Sequence, residues 1–166
     1  MKITYFRFIS LFLAMLLSYP LFAQSKKDIR NAKIASETTT VTQTDNGKDI
    51  TYKETYTIYD KNGNVTEQTE YNKEGAVKRK ESNKYNADND KTEEVVFDAK
   101  EKTTRKTSFT YNVDGSKTGE IEYDEKGIIL KQSTYTYNNK GLKTEKKTFD
   151  GKKKLLSTKK YNYTTR

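Results

Sequence analysis

The chain contains no cysteine and no histidine. Without cysteine there is no lipid-anchor motif, no disulfide and no thiolate metal site. Without histidine the commonest general base and transition-metal ligand are missing, and without either residue the usual activated nucleophile arrangements fall away. Aliphatic side chains are also scarce. Beyond residue 23 there are seven Ile, six Val, four Leu and three Phe. That is too little apolar surface for a two-layer sandwich, and it approaches the composition of chains that do not fold. Modest net charge and eleven regularly placed Tyr in the same region argue for order.

What the chain has is a ruler of aromatic residues. Tyr59, Tyr71, Tyr85, Phe97, Tyr111, Tyr123, Tyr137, Phe149 and Tyr163 are spaced alternately by 12 and 14 residues. The unit is 26 residues, beginning at 59, 85, 111 and 137. Most marks precede a turn signal: DKNG after Tyr59, NKEG after Tyr71, NVDG after Tyr111, DEKG after Tyr123 and NNKG after Tyr137. An Asp or Asn side chain can bond the backbone two residues on, and Gly accepts the positive φ that closes such a turn. After Tyr85 the signal is NADND, with Asn89 in the left-handed slot. After Phe97 it is DAKE, without glycine. After Phe149 it is Asp150-Gly151, which predicts a shorter turn.

Between the turns lie strands of about 8 and about 10 residues, rich in Thr, Tyr, Val, Ile and Phe, which suit a pleated surface. Phe109 with Tyr111, Tyr135 with Tyr137 and Tyr161 with Tyr163 are two residues apart and share a face. Three- and four-residue apolar spacing, the mark of helix, is absent. Asp45-Asn46-Gly47 lies fourteen residues before Tyr59 and marks a degenerate half-unit, so Ser36 to Thr44 opens the array. The predicted fold is all-β: an antiparallel β-hairpin repeat meander, a single-layer or loosely rolled twisted sheet of about ten strands over residues 36–166, with atypical ends as caps.

Residues 1–23 read as a signal peptide. Lys2 and Arg7 precede an apolar run from Phe8 to Phe22, with the small residue Ala23 at its end. The run is short for a membrane span and is interrupted by Tyr19 and Pro20; an uncleaved N-terminal anchor is the alternative reading of the same segment. Residues 24–35 read as an N-terminal linker. Processing would take the 32 basic residues to 30, against 23 acidic. The excess is concentrated at the end: Lys140 to Arg166 holds ten basic and two acidic residues. The predicted location is periplasmic or extracellular, with no membrane span left after processing.

The stretch YDKNGNVT, Tyr59 to Thr66, resembles the unit of the YD repeats of bacterial Rhs-type exported proteins. YDEKGIIL at Tyr123 and YNNKGLKT at Tyr137 are weaker forms of it. A second likeness is to the MORN-type repeats of antitoxin-like proteins. The first resemblance implies a winding sheet of hairpins in an exported bacterial protein and implies no catalytic residue.

Candidate chemistry is sparse. The acids lie in turns or are scattered along strands, so no carboxylate pair for hydrolysis stands out. Asp60, Asn62 and Asn64, and likewise Asn86, Asp88 and Asp90, have the alternate spacing of a calcium loop. Val65 and Lys91 replace its glycine, and Tyr71 and Phe97 replace its closing glutamate. No enzymatic activity, metal or cofactor is expected. The candidate binding patch is basic and aromatic: Lys152, Lys153, Lys154, Lys159, Lys160, Tyr161 and Tyr163. Its expected partner is an envelope protein or an anionic polysaccharide; nucleic acid is not expected of an exported protein. Three functions remain open: an interaction or structural module at the cell envelope, a carbohydrate-binding module for an anionic glycan, and an antitoxin-like or immunity protein. Intact-mass analysis of the protein exported by a bacterial host is expected to give Gln24 as the first residue; a retained residue 1–23 segment would contradict this.

Overall fold

The structure, a computed structural model, describes residues 25–45 and 47–164. The expected signal peptide, Asn46 and the last two residues lie outside the described residues. Ten strands form one sheet in simple sequential order. They are β1 (Ser36–Asp45), β2 (Lys48–Tyr59), β3 (Val65–Tyr71), β4 (Val77–Tyr85), β5 (Lys91–Asp98), β6 (Thr103–Tyr111), β7 (Lys117–Tyr123), β8 (Ile129–Tyr137), β9 (Lys143–Asp150) and β10 (Leu155–Lys160). All nine pairings are antiparallel. The sheet is an open meander, as the aromatic ruler predicts.

The turns show why the ruler works. In the β2–β3 turn the Asp60 amide donates to the Asn64 carbonyl at 2.9 Å, and the Gly63 amide donates to the Asp60 carbonyl at 3.0 Å. Asp60 Oδ1 accepts from the amides of Asn62 (2.8 Å) and Asn64 (2.9 Å). The same acceptor pattern recurs at Asn112, Asp124, Asn138 and Asp150. Alternate Asp and Asn residues therefore serve the turn, with the carboxylate oxygen saturated by backbone donors. At Tyr59, Tyr71, Tyr85, Tyr111, Tyr123 and Tyr137 the strand register shifts. Each of these ruler marks ends its strand at a bulge. A bulge increases local twist and bends the strand.

Three turns depart from the glycine pattern. Asn89 takes the left-handed slot with φ 66°, as its position predicts. After Phe97, Asp98 Oδ1 accepts from the amides of Lys100 and Glu101, and Lys102 carries the positive φ, 52°. The turn after Phe149 corrects the expectation of a shorter loop. Asp150 to Lys153 closes like the others, with the Lys153 amide bonded to the Asp150 carbonyl at 3.0 Å and Lys153 itself at φ 64°. Gly151 answers a different demand: a Cβ there would overlap the Ile129 carbonyl.

Within the expected linker over residues 24–35 the structure adds a local element. Lys26–Asn31 forms a short helix, α1, capped by Ser25, whose Oγ accepts from the Asp28 amide at 3.2 Å. Ile29 faces inward and is 2 % exposed. The helix lies on the β2–β3 turn so closely that a Cβ at Gly63 would overlap the Lys26 carbonyl. The Tyr59 amide bonds the Ala35 carbonyl at 2.9 Å. Sequence periodicity misses α1 because six residues are too few to show a helical period. Across the rest of the described residues the only buried hydrophobic side chain is Tyr135. Among the described residues the sheet has no second layer.

Left-handed backbone costs a non-glycine residue roughly 1–2 kcal/mol, part of which glycine returns as unfolded-state entropy. Lys153→Gly is expected to raise unfolding stability by about 0.5–1 kcal/mol. Gly127→Ala, at φ 80°, is expected to lower it by about 1 kcal/mol. Urea unfolding of the two variants checks both signs.

Candidate functional site

Two systems of side chains run along the sheet with the period of the repeat. The first is a series of tyrosine hydroxyls. Tyr85 donates to the Val65 carbonyl at 2.8 Å, Tyr111 to Lys91 at 2.8 Å, Tyr137 to Lys117 at 2.8 Å and Tyr163 to Lys143 at 2.7 Å. Every donor lies 20 residues after its acceptor. Each acceptor opens the strand that follows the previous turn on that edge, so each tyrosine bolts its own strand end to the preceding repeat. Tyr59 has no preceding full unit and donates instead to Glu37 Oε2 at 2.9 Å. Burial, then the Glu37 hydrogen bond and charge, push its phenol up to about 12. Burial is also the first cause that raises Tyr85, Tyr111 and Tyr137.

The second system is a cluster of lysine, aromatic and carboxylate groups centred on Tyr135, which is 8 % exposed. The ammonium groups of Lys117, Lys143 and Lys146 lie 4.9, 4.7 and 5.1 Å from its ring centre. Lys117 also lies 5.0 Å from the Phe109 ring centre, and Lys143 lies 5.7 Å from that of Tyr161. Glu120 accepts from Lys117 at 2.8 Å and from Lys146 at 2.7 Å. Burial alone would raise the Glu120 carboxyl, but the hydrogen bonds of the two lysines and of Tyr135 outweigh it and hold it at about 2. Burial would lower the Lys117 and Lys146 ammonium groups; their partners raise them instead. Lysine stems and cation–π contacts do here what aliphatic packing does in an ordinary core.

Glu94, Glu120 and Glu122 line one open hollow of about 380 Å³ with Lys131 and Lys146. Each carboxylate is paired: Glu94 with Lys91 at 2.8 Å, Glu120 as above, Glu122 with Arg105 at 3.1 Å. A glycosidase acid needs a raised pKa, and Glu120 is shifted the other way. Among the described residues no group of three or more metal-ligating His, Cys, Asp or Glu side chains converges. No helix among them is long and apolar enough to cross a membrane.

The predicted basic patch divides in two. Lys152, Lys153 and Lys154 occupy the β9–β10 turn, where Lys152 and Lys154 give their amides to Asp150 Oδ1 at 2.9 Å. Lys159 and Lys160 end β10 at the opposite edge, with Tyr161 and Tyr163 just beyond. At roughly 3.3 Å per residue, Lys154 and Lys159 are about 17 Å apart. The structure brings Lys159, Lys160, Tyr161 and Tyr163 to one corner and leaves the lysine turn separate. The Lys117–Glu120–Tyr135–Lys146 cluster escapes a reading confined to the ruler. Its signal is nonetheless present: Lys91, Lys117 and Lys143 recur every 26 residues, as do Phe109, Tyr135 and Tyr161. No protein-family model and no curated protein matches the chain.

Removing a tyrosine hydroxyl leaves the acceptor carbonyl unpaired, so Tyr111→Phe and Tyr137→Phe are each expected to cost about 1 kcal/mol, read by urea unfolding. The pH dependence has two limbs. Glu120 is depressed from 4.5 to about 2 in the folded protein, so its contribution is present above pH 4.5 and lost as pH falls towards 2. The ladder phenols are raised above 10.0. Their contribution is complete below pH 10 and is lost as pH rises through the folded values. Stability measured from pH 2 to 12 is expected to fall on both sides, and Glu120→Gln is expected to flatten the acid limb.

Proposed function

We propose that the chain is an exported, non-enzymatic β-repeat protein acting as an interaction or structural module at the bacterial cell envelope. The observation that carries this reading is the single-layer sheet, whose two faces and two edge strands all meet solvent. Such a sheet offers area for contact and little enclosure for chemistry. The absence of histidine and cysteine from the sequence and the ion-paired state of the hollow's carboxylates support the non-enzymatic part. The basic apolar start of the chain supports export, and the likeness of YDKNGNVT to YD repeats agrees with it.

A second reading, binding of an anionic glycan, draws on the corner formed by Lys159, Lys160, Tyr161 and Tyr163, where Tyr163 is 52 % exposed. Against a wider aromatic platform stands the occupation of the central rings. Lysine ammonium groups already cover Phe109 and Tyr135, so those faces serve packing.

The processed chain, immobilised and exposed to a solubilised envelope fraction, is expected to retain a defined envelope component. Recovery of cytoplasmic proteins alone would refute the reading. A glycan array decides the alternative: strong binding to acidic glycans that Lys159→Ala with Lys160→Ala abolishes would replace the first reading by the second.

A further inference from the structure

The meander ends in two unpaired edges. Among the described residues no strand pairs with the outer edge of β1 or of β10. All six residues of β10 are exposed, Leu155 and Leu156 at 50 % and 52 %. An edge strand presents a row of free amides and carbonyls, a template for one more strand. We infer that the occupant is a second copy of this chain, joined head to tail, β10 of one copy pairing antiparallel with β1 of the next.

Two observations choose this partner. The first is phase. Strands alternate in direction and type along the sheet, and β10 is of the even type. The slot beyond β10 is that of an odd strand, and β1 is one. The pairing therefore extends the meander in its own sense. The second is charge. β10 contains Lys159 and Lys160 and no acid. β1 contains Glu37 and Asp45 and no basic residue. Two β10 edges would gather four lysines and no acid, and two β1 edges four acids and no base. Only the mixed pairing is complementary. Edge lysines deter pairing with another basic edge and leave the acidic one open. An interface between two different surfaces of the same chain does not close on itself in a dimer, so it builds larger rings or open arrays. The inference follows from the sheet edges alone and does not depend on where the protein is delivered.

The backbone also shows where to block each edge. The Tyr161 amide bonds inward to the Thr144 carbonyl at 3.0 Å. Along a strand N–H and C=O pairs alternate sides, so Lys160 and Thr158 direct theirs outward. The Ala35 carbonyl accepts inward from Tyr59, so Ser36 and Thr38 face outward before the register shift at Thr39 and Thr40. Proline at an outward position removes a free donor and no ladder bond.

Sedimentation of the processed chain over rising concentration is expected to show growing mass. Thr158→Pro alone and Thr38→Pro alone are each expected to remain at monomer mass. Their equimolar mixture keeps one free β10 and one free β1, and is expected to stop at twice the monomer mass. A wild type that stays monomeric, a dimer of either variant alone, or a mixture that stays monomeric would each overturn the inference. Circular dichroism of each variant checks the fold. Should a proline variant unfold, Lys159→Glu with Lys160→Glu takes its place. It is expected to be monomeric, and undiminished assembly would overturn the inference equally. Because the measurement uses purified protein, failure of the envelope pull-down leaves it unaffected.

Discussion

The structure rests on repeat-to-repeat fastening rather than on a core. A single sheet cannot enclose apolar volume, and the described residues contain two buried hydrophobic side chains, Ile29 and Tyr135. Backbone pairing alone supplies little net stability, since each ladder bond replaces one to water. The register of the strands must then be held by devices that recur with every unit. Two do so: an Asp or Asn that saturates its turn, and a tyrosine hydroxyl that bolts the end of β4, of β6, of β8 and of the segment after β10 to the start of the odd strand before it. Both depend on the 26-residue period, which is why the aromatic spacing is so strict. The arrangement is quasi-one-dimensional, each unit contacting its neighbours only.

A one-layer sheet also changes what charge is for. Lys117, Lys143 and Lys146 spread their stems over Tyr135 while their ammonium groups meet its ring or Glu120. In a conventional core a lysine there would be costly. Here solvent remains near enough to hydrate it, and the half-buried geometry strengthens the ion pair relative to a fully exposed one. Much of the lysine content is therefore structural, and the net positive charge resides chiefly in the last strands, where partners for it run out.

The ends of the array are treated differently. At the start, α1 covers the first full turn and Ile29 fills the space against it. At the finish, β10 stands exposed with its lysines. The array therefore presents two different edges, one carrying acids and one carrying lysines.

Sequence alone determined the fold class, the strand number and most turns, because turn chemistry and two-residue alternation are local and the unit repeats them. It also placed Asn89 in its left-handed slot. The tertiary structure decided what depends on residues distant along the chain. In the Phe149 turn Lys153 holds the positive φ, while Gly151 passes close to Ile129, a neighbour 22 positions earlier. Residues Lys26–Asn31 form a helix seated against Gly63 of the β2–β3 turn. The basic patch splits because four residues of β10, Leu155 to Thr158, separate its halves, and the Glu120 cluster exists because β6, β7, β8 and β9 lie side by side. Local rules specify each hairpin; which side chains meet across hairpins follows from register, and register is a property of the assembled sheet.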